Sequence, residues 1–201
     1  VAIKMILPSL CDDTKIIQRF INEARSVAAL DHPNILKIFD VGGEQYPFFV
    51  MEYLEGISLE DFICKKKKMN SEELRYYGAQ MADAFKYCHE KGIIHRDIKP
   101  ANMIVVNNFK LVKVLDFGIA KDPNRTGLTQ LNVSIGSPLY MAPEQMKDNV
   151  CGVPSDIYSF GLTLYKMGAG DFPFESGDLV SRLTTPPKPI LQYNPELNKL
   201  L

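Results

Sequence analysis

The apolar pattern changes period once along this chain, near Gly56, and that change limits the fold more than any other feature. Before it, residues 1–7, 35–41 and 47–53 are rich in branched and aromatic side chains and read as strands, the last two around the turn Gly42-Gly43. Pro8 ends the first of them. Asp12 and Asp13 then offer a helix cap. Ile16, Ile17, Phe20, Ile21, Ala24, Val27 and Ala28 recur at helical spacing, which predicts a helix to about Leu30, stopped by Asp31-His32-Pro33-Asn34. After Gly56 the pattern is mostly helical. Asn70 with Glu73 has the spacing of a capping box, and Leu74, Tyr77, Met81, Phe85 and Cys88 mark the buried face of a long helix ending near Gly92. Residues 103–106 and 111–115 read as a hairpin around Asn107-Asn108, and residues 116–154 as a loop-rich stretch. Residues 155–167 are apolar on all sides, the signature of a central, buried helix. Strands around one helix, followed by helices, predict an α+β fold, as one domain or as two small lobes sharing a core.

Composition excludes several classes of function. Lysine plus arginine is 23 against 24 acidic residues, so no basic field exists to hold nucleic acid or an anionic membrane. The longest strongly apolar run, residues 157–165, is nine residues, far short of a membrane span. The run of lysines at 65–68 reads as a solvated loop before a helix. Cys11, Cys64, Cys88 and Cys151 are too widely spaced for a zinc or redox motif and read as reduced thiols of a cytoplasmic domain. His89-Glu90 lacks the second histidine of a zinc protease, and no nucleophile elbow or Walker-type loop is present. Gly168-Ala169-Gly170 meets Pro173 where a dinucleotide fingerprint needs its third glycine.

One set of motifs does occur, in order. Val1-Ala2-Ile3-Lys4 opens the chain and Glu23 lies on the following helix. His95-Arg96-Asp97-Ile98-Lys99-Pro100-Ala101-Asn102 precedes the hairpin, Asp116-Phe117-Gly118 follows it, and Ala142-Pro143-Glu144 closes the loop region. Each alone is weak; together and in these contexts they are specific. The chain resembles the eukaryotic-type (Hanks-type) serine/threonine protein kinases over nearly its whole length. Tyr158 and Gln145 look like features of bacterial members. The resemblance implies an enzyme that transfers the γ-phosphoryl group of ATP, with Mg²⁺, to a protein serine or threonine hydroxyl. It also implies two lobes, the smaller in residues 1–54 and the larger in residues 55–201.

Phosphoryl transfer asks for positioning and charge neutralisation more than covalent chemistry. By resemblance, Lys4 would hold the α- and β-phosphates and pair with Glu23, since a partly buried charge needs a partner. Asp116 and Asn102 would hold Mg²⁺ through oxygen ligands. Asp97 would accept or orient the proton of the substrate hydroxyl, and Lys99 would reach the γ-phosphate; lysine at this position resembles serine/threonine rather than tyrosine kinases. Met51 would stand as gatekeeper, Glu52 and Leu54 would offer backbone groups to adenine, and Ala2 and Ile104 would sandwich its ring. Val27, Ile38, His95 and Phe117 resemble the stack joining the lobes, with His95 structural rather than a base, and Asp156 resembles the buried aspartate that ties down the catalytic loop. For Met51, Ile104, Val27 and Ile38, ordinary core packing is equally consistent. Ser137 would line the substrate groove. Arg96 before Asp97 resembles kinases switched by loop phosphorylation, with Thr129, Ser134 and Thr126 as candidate sites and self-association as the route to autophosphorylation.

Several departures shape the expectation. No glycine-rich loop precedes Val1, and the only arginine after Glu144 is Arg182, whereas the family's partner for that glutamate lies in a later helix. The chain is therefore read as truncated at both ends, lacking N-terminal strands and C-terminal helices, with an open sheet edge beside Val1 and weak activity by itself. The parent could be membrane-anchored. A kinase-like docking scaffold is the alternative, opposed by the presence of Lys4, Asp97 and Asp116 together. A small-molecule phosphotransferase is opposed by the long segment from Gly118 to Glu144 with its Gly136-Ser137-Pro138.

Overall fold

The structure, a computed structural model, describes residues 1–43, 46–117, 137–175 and 178–199; the side chains of Glu23 and Ser137 lie outside the described residues. Thr126, Thr129 and Ser134 also fall outside them.

The first lobe is an antiparallel sheet with one helix. Strands β1 (Ala2–Met5), β2 (Ile38–Gly42) and β3 (Phe48–Met51) run in the order β1-β3-β2, so β1 is an edge strand, as expected beside Val1. Its alternation buries neither face fully: Val1, Ile3 and Met5 are exposed. The strands are shorter than the apolar runs suggested. Ile35 makes only an isolated parallel bridge to Val114, and regular pairing of β2 with β3 begins at Ile38, with a bulge between Ile38 and Asp40. Helix α1 (Thr14–Ala28) starts where Asp13 accepts from the N–H groups of Lys15 and Ile16 at 2.9 and 3.3 Å. Phe20, Ala24 and Val27 form its buried face, with Phe20 packed on Phe49 of β3.

The second lobe opens with a short strand, β4 (Gly56–Ser58), and helix α2 (Leu59–Lys66), capped by Ser58. Helix α3 (Ser71–Glu90) has the predicted capping box between Asn70 and Glu73, and Tyr77, Met81, Phe85 and Cys88 are buried as predicted, with Leu74 half-buried. The lysine run is not a loose loop. Lys65 and Lys66 close α2, Lys66 pairs with Glu73, and Lys68 donates to Tyr193 O at 3.1 Å. Strands β5 (Met103–Val106) and β6 (Leu111–Val114) form the predicted hairpin, with Asn107 and Asn108 left-handed at φ 51° and 52°.

The region read as loop-rich contains helix α4 (Pro143–Asp148), which the sequence did not single out because six residues with Pro at the start carry no periodicity. Helix α5 (Val153–Ala169) is central but not buried all round: Ile157 is exposed, whereas Ser155, Asp156, Ser159 and Thr163 are buried. It ends at Gly170, φ 76°, where a Cβ would lie 2.4 Å from Lys67 O. Helices α6 (Leu179–Thr184) and α7 (Ile190–Tyr193) complete the lobe. One core joins the lobes through Val27, Ile35, Ile38, Val112, Val114 and Phe117.

Candidate active site

The site is organised from below by Asp156, in the first turn of α5 and 2% exposed. Its carboxylate accepts from the N–H groups of His95 (2.8 Å) and Arg96 (2.9 Å) and lies 2.8 Å from His89 Nε2. Arg96 sits at φ 68°, a left-handed conformation that costs on the order of 1 kcal/mol outside glycine and persists only when surroundings enforce it. The two bonds to Asp156 do so. Burial, and then the Asp156 charge, pushes the Cys88 thiol up to about 12, so it stays protonated and unreactive at neutral pH.

His95 is fully buried. It donates from Nε2 to Leu115 O at 2.8 Å, accepts the Asp97 N–H at Nδ1 (3.3 Å), and packs against Phe117 with ring centroids 4.7 Å apart. Burial pulls its pKa below the ordinary value, while the Asp156, Asp97 and Asp116 charges pull the other way. The neutral ring satisfies both neighbours, because protonating Nδ1 would remove the acceptor of the Asp97 N–H. The histidine is a structural link, as expected, and Val27, Ile38 and Phe117 are buried with it.

Asp97 comes out of this turn beside Asn102 and Lys99. Asn102 donates from Nδ2 to Asp97 Oδ2 (2.9 Å) and Asp97 O (2.8 Å), and Lys99 Nζ lies 3.1 Å from Oδ2. The turn Pro100–Asn102 places Asn102, and its carbonyl accepts from Leu115 N–H at 2.9 Å. That bond carries Asp116 alongside the catalytic loop. Asp116, at φ 41°, pairs with Lys4 of β1, both side chains about half exposed. The sequence assigned Lys4 to Glu23, whose side chain lies outside the described residues.

The expected nucleotide side is the loop after β3. Ala2 faces Met51 in register, Ile104 pairs with Ser58, and Ala2, Met51, Leu54 and Ile104 are all half-buried. Glu52 N–H is already bonded to Lys37 O at 3.0 Å, so of its backbone groups only the carbonyl is left for adenine. Its carboxylate accepts from Lys37 N–H (2.7 Å) and Lys113 Nζ (2.6 Å). Lys113 escaped the sequence reading because an alternating lysine in a strand looks solvent-facing. His89 escaped because its helix position alone does not reveal Asp156.

The expected substrate side is the turn Ser137–Tyr140, whose backbone is described. Glu144 accepts from Ser155 Oγ at 2.7 Å, and Gln145 bonds Ala142 N–H (2.9 Å) and Arg96 O (3.4 Å), linking this segment to the catalytic loop. Tyr140 and Ala142 are buried.

The residues fit an ATP–Mg²⁺ site. Among the described residues no three acidic, histidine or cysteine side chains cluster as a metal cage. Mg²⁺ held largely by phosphates and water needs only one or two protein oxygens, which Asp116 and Asn102 would supply.

The protein kinase domain family matches residues 1–189. Serine/threonine-protein kinase PrkC of Bacillus subtilis is 38% identical over 182 residues, which is 90% of this chain and 28% of that protein. Serine/threonine-protein kinases PknB of Mycobacterium leprae and Mycobacterium tuberculosis are each 37% identical, over 187 and 188 residues, 90% of this chain and 30% of each relative. The chain thus spans less than a third of the length of these relatives.

Proposed function

The chain belongs to the protein kinase domain family, and from that premise we propose that its full protein transfers the γ-phosphoryl group of ATP to serine or threonine hydroxyls of a protein substrate. The observation that carries this reading is the bonded sequence Asp156–His95/Arg96–Asp97–Asn102–Leu115, which gathers Asp97, Lys99, Asn102 and Asp116 around one catalytic loop. In it, Asp97 accepts or orients the hydroxyl proton and Lys99 balances charge at the γ-phosphoryl group. Lys4, with Glu23 as its family partner, holds the α- and β-phosphates. Asp116 and Asn102 hold Mg²⁺, which when bound neutralises charge on the phosphate oxygens. Ala2, Met51, Leu54 and Ile104 enclose the adenine, and the carbonyl of Glu52 with the N–H of Leu54 accept and donate at its edge. Ser137 lines the groove for the substrate.

Residues 1–54 and 55–201 act as the two lobes of this site. Regulation through Arg96 and a phosphate on Thr129, Ser134 or Thr126, and self-association for autophosphorylation, are part of the same reading. Among the described residues no helix is long and apolar enough to cross a membrane, and we place the kinase domain in the cytoplasm. The test is incubation of the full-length protein with labelled ATP, Mg²⁺ and casein. Label on casein that is lost in Asp97→Asn is the expected result; equal labelling in both would overturn the assignment.

A further inference from the structure

Arg182, on α6, is only 8% exposed, yet its hydrogen-bond partners among the described residues are all neutral. Nη2 donates to Pro138 O at 2.9 Å and Leu139 O at 2.5 Å, and Nη1 lies 3.3 Å from the Tyr158 hydroxyl. The ring faces of Tyr158 and Phe174 each lie 5.8 Å from the guanidinium carbon. Nε is buried and has no hydrogen-bond partner among the described residues. A cation held this way has exchanged water for carbonyls, a hydroxyl and ring faces, at a cost that an aliphatic side chain of similar volume would avoid.

What the charge secures is geometry. The planar guanidinium spans two successive carbonyls and a phenol, which the point charge of a lysine cannot do. Ser159 Oγ of α5 donates to the next carbonyl, Tyr140 O, at 2.7 Å. Three consecutive carbonyls, at 138, 139 and 140, are therefore held by side chains from α5 and α6. Tyr158, the residue before Ser159 on α5, meets the same guanidinium through its hydroxyl.

We propose that Arg182, supported by Tyr158, is the positioning residue that sets the backbone of residues 138–140 and thereby the affinity of the substrate groove. The inference rests on the reading of that groove given under the proposed function. Among the described residues the Arg182 guanidinium bonds Pro138, Leu139 and Tyr158 and none of Lys4, Asp97, Asn102 or Asp116, so its effect falls on protein substrate and not on nucleotide.

The experiment uses the full-length protein, with KM and kcat for casein, KM for ATP, and thermal unfolding measured in parallel. Arg182→Met should raise the casein KM about tenfold or more, with the ATP KM held within roughly twofold. Tyr158→Phe, a milder change that keeps the ring, should raise the casein KM by a few-fold, and Arg182→Lys should not restore the wild-type value. Casein KM unchanged in Arg182→Met, or in Tyr158→Phe should the first variant not fold, would overturn the inference. So would equal losses toward casein and ATP. A wild-type protein that neither hydrolyses ATP nor labels casein would instead overturn the kinase reading itself.

Discussion

Lys113 Nζ lies 2.6 Å from Glu52 Oε1, so the strand that leads to Asp116 is tied to the segment that would hold adenine. The two side chains are 12% and 23% exposed, and Lys113 also donates to Ile35 O at 3.2 Å. A charge-assisted bond of this kind contributes about 1–2 kcal/mol when partly shielded from water. Lys113→Met should cost about that much stability in urea titration. It should also raise the ATP KM several-fold with little change in kcat, because the loop after β3 loses its anchor. Lys113→Arg should retain most of both. An ATP KM identical in Lys113→Met and wild type would refute the coupling.

Asp97 has Lys99 and Asn102 on its carboxylate, so a cation and an N–H donor both stand at Oδ2. Asp97→Asn should lower kcat by ~10²–10⁴-fold, the scale of one acid–base group, while calorimetric ATP binding stays close to wild type. Asp116→Ala removes the carboxylate paired with Lys4, and should weaken ATP binding in a manner that depends on Mg²⁺. Full turnover in Asp97→Asn would show that another group does the work.

The sequence was most legible where one residue type serves one geometry. The Asn70–Glu73 box, the Asn107-Asn108 turn and the Tyr77–Cys88 face each appear as periodicity or turn chemistry alone would place them. The site was legible for a different reason: its motifs are short and ordered, so resemblance supplied the roles of Asp97, Asn102, Asp116 and Asp156. Contacts between distant segments were not legible. In the sequence Arg182 is only the one arginine after Glu144; its bonds to Pro138 O and Leu139 O, more than forty residues away, leave no trace there. The same holds for His89 on Asp156 and Ser155 on Glu144, where polar side chains are buried because their partners are. Helix α5 shows the limit of a pattern argument: four polar residues lie inside and Ile157 outside, against its apolar average.

Asp156 should prove the costliest single side chain to remove. Asp156→Ala leaves the N–H groups of His95 and Arg96 buried without their acceptor and releases Arg96 from an enforced left-handed backbone. Breaking a buried charged network of this kind costs about 3–5 kcal/mol. The variant should unfold at markedly lower urea, and any folded fraction should show low kcat. A midpoint within error of wild type would mean that the catalytic loop holds itself.

Loop phosphorylation gives a further test. A phosphate on Thr126, Thr129 or Ser134 adds about −1.5 to −2 charge, and Arg96 stands in sequence next to the catalytic Asp97. Mass spectrometry of the full-length protein after incubation with ATP should find phosphate on at least one of the three, Thr129 foremost. The triple alanine variant should lose most activity; full activity there would remove regulation from the proposed function.

The pH dependence of stability should carry the mark of His95. Burial lowers its pKa in the folded state, so between that value and about 6.5 the unfolded chain binds the extra proton and the folded chain does not. Stability from this group is therefore complete above about pH 6.5 and is lost as pH falls below it, with a slope of up to about 1.4 kcal/mol per pH unit. The bonds explain the direction, since a protonated ring could not accept the Asp97 N–H at Nδ1. His95→Phe loses the bond to Leu115 O and should be less stable at every pH. Its stability should nonetheless change less between pH 7 and pH 5 than that of the wild type. Urea titrations of both proteins across that window decide the matter, and parallel curves would mean that His95 carries no proton-linked stability.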